Sequence, residues 1–212
     1  MSLSATLSAT ERYGTALAPN GLVLVQDLLN TRPAGRPRRP DLLDDVASAQ
    51  GWLERAVELW SAHADRPAPA ITLSEQELPR LRALRDHLRQ ALRLRRHPDE
   101  QPDYELGPEH PLAFAADLRL TLDRDGTLTV DPSGAGGSWV VAAVLGEIQR
   151  ARILDTWRRL KVCGNDRCLG AFYDRSRNNS GVWHDVHVCG NAANLRASRA
   201  RRRAAGGLTP GG

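Results

Sequence analysis

The spacing of the cysteines constrains this chain more than any other feature of its sequence. All three cysteines of the 212-residue chain lie between residues 163 and 189. Cys163 and Cys168 are separated by four residues, and His184 and Cys189 are also separated by four. Two such pairs supply the four soft or borderline ligands that a tetrahedral Zn²⁺ site requires. The spacing therefore predicts a Cys₃His site for one structural zinc ion.

Two alternatives to this ligand set are open. His187 could replace His184, although a histidine two residues before Cys189 reaches the same metal only if the backbone is extended there. The three thiols could also be unrelated. Four protein ligands leave no coordination position for water, and no glutamate lies between the cysteines to act as a base. The pattern therefore predicts a protein that is not an enzyme.

Charge is divided unevenly along the sequence. Residues 150–203 contain 13 basic and four acidic side chains, a net charge of +9, whereas the remainder carries −5. A zinc ion with three thiolates adds only about −1, so the C-terminal part stays basic. This asymmetry predicts an end of the protein that faces a polyanion, joined to a mildly acidic body.

The residues after Cys189 favour a helix from about Ala192 to Arg203, because alanine and arginine are strong helix formers. We expect the arginines of this helix and of the preceding loop to contact nucleic-acid phosphates. The candidates are Arg175, Arg177, Arg196, Arg199, Arg201, Arg202 and Arg203. The alternative is a solvated basic helix beside a purely structural zinc site.

The pattern of apolar residues over residues 1–155 predicts a mainly helical α+β domain. The apolar run at residues 21–31 fits either a strand or a buried helix. A helix is expected to begin at Asp41, a second after the capping-box pair Ser74 and Glu77, and a third over residues 139–154. In residues 118–130, apolar residues alternate with others on both sides of the turn dipeptide Asp125-Gly126, which predicts a β-hairpin.

Three further segments of the chain lie outside the predicted zinc module. The second helix carries an arginine stripe opposite its leucines, which predicts a solvated surface; its members are Arg82, Arg85, Arg89, Arg93 and Arg96. Residues 133–138 predict a flexible joint. The proline-rich basic loop at residues 32–40 is either a solvated connector or an auxiliary anion contact.

The predicted organisation has three parts: an α+β domain over residues 1–155, a zinc module over 156–205 and a disordered tail over 206–212. Three cysteines at metal spacing fit a reducing cytoplasm better than a disulfide scaffold. No apolar run reaches the length of a membrane span, so no membrane partner is expected.

The zinc module resembles the CGNR zinc-finger family. Cys163 and Cys168 match its first pair, Trp183 stands directly before the third ligand, and Cys189 is followed by the glycine and asparagine of the family motif. The middle segment of the family pattern is matched by Phe172, Asp174 and Ser176. The preceding region resembles the ABATE domain that usually accompanies this finger, with Asn30-Thr31 ending the first apolar run and Trp52-Leu53 in the first long helix.

The chain departs from the family pattern at three positions. The third ligand is usually cysteine and is His184 here, an exchange that zinc accepts. The motif arginine is Ala192, and the usual lysine that follows is Asn194. If that arginine contacts phosphate in the family, this chain depends on Arg196 and the arginines after it.

The resemblance implies a zinc-containing transcription regulator, with an N-terminal sensing or assembly domain and a finger that contacts DNA. It leaves room for a small-molecule effector and for a homo-oligomer. The alternative function is a ligand-sensing or protein-interaction module in which the finger is purely structural.

Overall fold

The computed structural model describes residues 7–33, 39–96, 113–165 and 167–206, without the side chains of residues 197, 200 and 203–206. Its helices are α1 (Leu22–Leu29), α2 (Val46–Ala64), α3 (Leu78–Arg96), α4 (Gly136–Ile153) and α5 (Asn191–Gly206). Its strands are β1 (Leu118–Leu122), β2 (Leu128–Pro132), β3 (Leu160–Val162) and β4 (Ala171–Tyr173). The α+β prediction is confirmed. The predicted disordered tail lies outside the described residues from 207 onward.

Helix α1 is the centre of the fold. All eight of its residues are buried, and it packs against α2, α3, α4 and β4. Its two polar side chains have partners: Gln26 accepts a hydrogen bond from the Ala18 amide, and Asp27 accepts one from the Thr10 amide at 2.8 Å. The apolar run at residues 21–31 is therefore a buried helix, and the strand alternative is wrong.

Helix α2 begins later than the sequence predicted. It starts at Val46, where the carboxylate of Asp45 accepts a hydrogen bond from the Ser48 amide and caps the first turn. Asp41, expected to open this helix, instead forms a buried ion pair with Arg85 at 2.7 Å. Several acidic residues compete for the cap, and only the one with extended backbone geometry can bond the free amides.

The predicted capping box that precedes α3 is confirmed. The Ser74 amide donates to the Glu77 carboxylate at 2.7 Å, and the reciprocal bond from the Glu77 amide is also present. Glu77 additionally accepts from the Gly137 amide, in the first turn of α4. One side chain thus caps two helices and sets the distance between their starts. Helix α4 therefore begins at Gly136, inside the segment predicted to be a flexible joint.

The arginine stripe of α3 is not the solvated surface that its sequence predicted. Arg85 and Arg89 are only 3% and 6% exposed. Arg89 donates to the carbonyl of Leu29 at 2.6 Å and to that of Leu169. Desolvation lowers the pKa of Arg89 to about 10, so the guanidinium stays charged at neutral pH. A cation at the C-terminal end of α1 is favourable because that end carries partial negative charge.

The hairpin of β1 and β2 has the predicted turn, with Gly126 at a φ of 85°. Its apolar face is partly uncovered. The face begins against α4, where Leu118 lies beside Gly146, but Leu120 and Leu122 are 63% and 70% exposed. The alternation of apolar residues in the sequence predicted which side chains share one face of the hairpin. It could not show that the hairpin projects past the helix beneath it. No helix among the described residues is long and apolar enough to cross a membrane.

The second hairpin, β3 with β4, is joined to the helical core. Leu160, Val162 and Ala171 belong to the same buried cluster as α1. The side-chain amide of Asn30, at the end of α1, donates to the Ala171 carbonyl at 2.9 Å and accepts from the Ala171 amide at 2.7 Å. Asn30 therefore pairs with β4 as a neighbouring strand would, and it fixes the hairpin on the helices.

We expect Asn30→Ala to lower the free energy of unfolding by about 2 kcal/mol, because the Ala171 amide would be buried without a partner and the Ala171 carbonyl would keep only its longer bond of 3.3 Å to Gln26. The measurement is urea denaturation of the zinc-loaded protein at neutral pH. Asn178→Ala is the matched control, because Asn178 is exposed and its loss should change stability by less than about 0.5 kcal/mol. Equal effects of the two substitutions would contradict the role assigned to Asn30.

Candidate metal centre

The first cysteine pair lies in the turn between β3 and β4. Cys163 follows β3, and its amide donates to the Gly170 carbonyl at 2.8 Å. The carbonyl of the buried Asn165 accepts from the Cys168 amide at 2.7 Å. The Gly170 amide in turn lies 3.3 Å from the Cys168 sulfur. The turn is thus closed by backbone bonds that direct both sulfurs to one side, with Leu169 in the left-handed region at a φ of 57°.

His184 and Cys189 come from the segment that leads into α5. This segment lies beside the first pair because the Gly164 amide donates to the Val182 carbonyl at 2.9 Å. Asp185 then caps a single π-helical turn, Val186–Gly190, by accepting from the Val188 amide at 2.9 Å. Cys189 lies in this turn, and α5 starts two residues later. Cys189 therefore lies directly before the basic helix, in a turn that runs without a break into it.

The four groups converge as the sequence predicted. One potential ligand atom from each of Cys163, Cys168, His184 and Cys189 lies within 4.8 Å of the others. Nδ1 of His184 is 3.3 Å from the Cys168 sulfur and 3.6 Å from the Cys189 sulfur. A tetrahedral zinc ion with ordinary bond lengths would separate such a nitrogen and sulfur by about 3.6 Å. The cluster suits one structural zinc ion.

The protonation of the thiols also suits a dication. Contact with Cys168 is the largest influence on Cys163 and lowers the pKa of its thiol to about 4, while the same contact raises the pKa of Cys168. Two adjacent sulfurs cannot both be charged without a cation between them. A zinc ion would remove this conflict because it binds each sulfur as a thiolate.

Burial separates the two candidate histidines. Cys163 and Cys189 are 2% exposed and His184 is half-buried, whereas the His187 side chain is exposed. His187 is not part of the cluster found among the described residues. It belongs to the turn that Asp185 caps and is exposed there, as expected of a solvated residue.

Asp174 organises the loop that follows β4. It is 3% exposed and accepts from Lys161 at 2.7 Å, from the Gly181 amide at 2.7 Å and from the Ser176 amide at 2.9 Å. Burial alone would raise the pKa of Asp174, but these donors lower it well below its usual range. A side chain at Gly181 would collide with the carboxylate, since its Cβ would lie 2.8 Å away. The aspartate of the family motif therefore holds loop geometry.

The seven arginines predicted to contact nucleic acid lie in different environments. Five have exposed side chains, Arg175, Arg177, Arg199, Arg201 and Arg202, and Arg196 is half-buried. Two make bonds within the protein, Arg175 to the Leu17 carbonyl and Arg196 to the Asn165 side chain. The side chain of Arg203 lies outside the described residues.

Two residues near the cluster gave no recognisable signal in the sequence. Asn165 joins the first cysteine turn to α5, because its side chain accepts from Arg196 at 2.7 Å and from the Arg167 amide at 3.2 Å. Tyr13 lies edge-on to the His184 ring at 6.4 Å, and a Cβ at Gly170 would meet the Tyr13 ring at 2.7 Å. Both act across separations in the chain that local patterns do not encode.

We expect Asp174→Asn to destabilise the protein by about 2 kcal/mol at neutral pH, because it leaves Lys161 without its carboxylate. The folded pKa of Asp174 lies below the unfolded value of about 3.9. Its stabilisation is therefore complete above that value and is lost as pH falls through the folded pKa. Urea titrations should show a constant deficit from pH 7 to about pH 5 and a smaller one below about pH 4.

Asp155→Asn is the control for this substitution. Asp155 pairs with Arg158 at 2.8 Å, but the two side chains are 71% and 50% exposed, and such pairs contribute less than about 1 kcal/mol. A deficit for Asp174→Asn no larger than that for Asp155→Asn would contradict the organising role of Asp174.

Two family models match the chain in the order that the resemblance predicted. The ABATE model, described as "Putative stress-induced transcription regulator", matches residues 22–153. The CGNR zinc finger model matches residues 159–202, which include all four residues of the metal cluster. No curated protein matches the chain. The matches are to a regulator family and a zinc finger, and the cluster suits zinc, so the chain belongs to the ABATE family and carries a CGNR zinc finger.

Proposed function

We propose that this protein is a DNA-binding transcription regulator whose finger and C-terminal helix contact the phosphate backbone. In this proposal residues 1–155 form the sensing or assembly part, and residues 156–205 form the DNA-contacting part. The observation that carries it is the group of five exposed arginines on α5 and on the loop after β4, which lie beside the Cys₃His cluster in a segment of net charge +9. Arginines presented on a fixed helix neutralise phosphates and release their counterions.

The proposal distinguishes two kinds of arginine. Arg196 bonds the side chain of Asn165, and Arg175 bonds the Leu17 carbonyl at 2.8 Å and lies 5.7 Å above the Tyr173 ring. These two residues hold the finger together and fix its position. Arg199, Arg201 and Arg202 have exposed side chains on α5 and supply the free charge. A test that changes Arg196 would confuse loss of positioning with loss of phosphate contact.

We expect joint replacement of Arg199, Arg201 and Arg202 by alanine to weaken binding to duplex DNA by about two orders of magnitude at low salt. Each lost phosphate contact should also reduce the slope of log K against log salt by about one. The measurement is a fluorescence-anisotropy titration of zinc-loaded protein against random duplex DNA at several salt concentrations. Helix formation should survive, because alanine favours a helix at least as strongly as arginine.

The matched control removes three charges elsewhere. Arg119, Arg124 and Arg150 have exposed side chains on the first hairpin and on α4. Their joint replacement by alanine changes the net charge equally and should leave most of the affinity. If the two triple variants bind alike, or if the unchanged zinc-loaded protein fails to bind DNA at low salt, DNA contact by α5 is wrong.

We further propose that Cys163, Cys168, His184 and Cys189 are the zinc ligands. His184→Ala should abolish stoichiometric zinc binding and unfold the segment around the cluster, because three ligands cannot close the site. His187→Ala is the matched control and should retain one zinc per chain, because its side chain is exposed. Metal analysis of the purified variants by mass spectrometry measures both outcomes.

A third variant strengthens this test. His184→Cys should retain zinc, since a thiolate satisfies the same tetrahedral position. Retention in this variant together with loss in His184→Ala would show that the position ligates the metal and does not merely pack beside it. Loss of zinc from His187→Ala with retention in His184→Ala would reverse the assignment.

The alternative is an interaction or ligand-sensing module in which the finger is structural. It is favoured by the way β3 and β4 join the helical core through Asn30, and by the internal contacts of Arg175 and Arg196. Under this alternative, the α5 substitutions would not change the affinity of the protein for nucleic acid. The same DNA titration therefore separates the two functions.

A further inference from the structure

A cavity of about 730 Å³ lies between the N-terminal segment, residues 39–42 and the first half of α2. Its volume falls within the range of small-molecule sites in proteins. One part of its wall is apolar and includes Leu7, Leu42 and the buried Trp52. The other part carries arginines. The cavity is separate from the metal cluster, because none of its lining residues belongs to the four that converge there.

The lining of this cavity is cationic. Arg12, Arg39 and Arg55 all contribute to it, and Glu54 is the only carboxylate among the lining residues. Glu54 already accepts a hydrogen bond from the side chain of Gln50 at 3.0 Å. Three guanidinium groups around one space repel one another unless an anion lies between them. The composition therefore favours a negatively charged occupant.

In the part of the chain that the structure describes, the guanidinium of Arg12 has no carboxylate as a hydrogen-bond partner. Its Nη2 donates to the Pro40 carbonyl at 2.8 Å, but its Nε and Nη1 are shielded from solvent and have no partner among the described residues. The Nε of Arg55 is also shielded and unpartnered, while its Nη1 forms an exposed ion pair with Glu58 at 3.3 Å. Leaving a buried charged donor without an acceptor is costly. Both arginines line the cavity, and Arg12 has no carboxylate at hydrogen-bond distance within the described ranges to neutralise it.

The carboxylates that act electrostatically on Arg12 are already engaged. Asp27 accepts from the Thr10 amide and from the Trp52 ring nitrogen, at 2.8 and 3.0 Å. Asp41 forms the buried ion pair with Arg85 at 2.7 Å. Neither carboxylate accepts a hydrogen bond from Nε or Nη1 of Arg12, so both stay engaged elsewhere while Arg12 lines the cavity.

We propose that this cavity binds a small organic anion, with a carboxylate or phosphate group held by Arg12 and Arg55 and an apolar part held against Trp52 and Leu42. Planar guanidinium groups bind carboxylate and phosphate oxygens through paired, charge-assisted hydrogen bonds. The aromatic and aliphatic wall would bind a flat or short apolar group. The site would give the helical part of the protein a ligand of its own.

The experiment is isothermal titration calorimetry of the zinc-loaded full chain, without DNA, using phenyl phosphate and benzoate as anionic probes and benzamide as the neutral counterpart of benzoate. We expect at least one anionic probe to bind and benzamide to show no comparable affinity. Inorganic phosphate, run alongside, should bind more weakly than phenyl phosphate because it lacks the apolar part.

Arg12→Gln and Arg55→Gln should each weaken binding of the anionic probe by about tenfold or more. Arg119→Gln, which removes the same charge from an exposed position on the first hairpin, should leave affinity unchanged. If Arg12→Gln disturbs folding through its bond to Pro40, the Arg55→Gln variant decides the result. Absence of binding by both anionic probes at millimolar concentration, or equal affinities in the Arg55→Gln and Arg119→Gln proteins, would overturn the proposal. Failure of DNA binding would leave it untouched.

Discussion

The hydrogen-bonded pair between the side chain of Asn30 and the backbone of Ala171 connects the two halves of this protein. Because β4 has only β3 as a strand neighbour, its outer edge would otherwise bury an unpaired amide and carbonyl in the core. Asn30 satisfies both groups from the end of α1, with Gln26 adding a longer bond of 3.3 Å to the same carbonyl. An asparagine is one of the few side chains that offers a donor and an acceptor at the spacing of a peptide.

Arg89 performs a related task beside this pair. Its guanidinium bonds the last carbonyl of α1 and the Leu169 carbonyl in the cysteine turn. The charge is buried, yet its hydrogen-bond partners are carbonyl dipoles, one of them at the negative end of a helix. No carboxylate is therefore needed to compensate the charge. Together Asn30 and Arg89 attach the metal-bearing hairpin to α1. The orientation of the hairpin is therefore specified by polar contacts, while Leu160 and Val162 supply apolar burial.

Local sequence patterns predicted those features whose causes are local. The capping box at Ser74, the hairpin turn at Gly126 and the convergence of the four cluster residues each depend on a few neighbouring positions or on one repeated spacing. The start of α2 was misplaced because Asp41 and Asp45 are chemically alike and differ only in tertiary context.

The arginines of α3 show why the rest could not be predicted. Helical periodicity separated the leucine face from the arginine face correctly, since Leu81, Leu84 and Leu88 are buried. It could not reveal that the other face also has partners. Arg85 meets Asp41 and Arg89 meets Leu169, at separations of 44 and 80 residues. The hairpin leucines show the opposite case: their alternation predicted one shared face, but nothing among the described residues packs over Leu120 and Leu122.

The geometry around Tyr13 links the helical part to the metal cluster more closely than the order of the chain suggests. Arg12 and Tyr13 lie in one three-residue turn, Glu11–Tyr13, with Arg12 lining the cavity and Tyr13 against His184 and Gly170. A contact that orders Arg12 therefore acts on a turn whose next residue touches the cluster. Cys189, in the same cluster, lies two residues before α5. A structural metal held here would do more than stabilise a small fold, because it would join the segment that leads into the basic helix to a cysteine turn that is attached to the helical core.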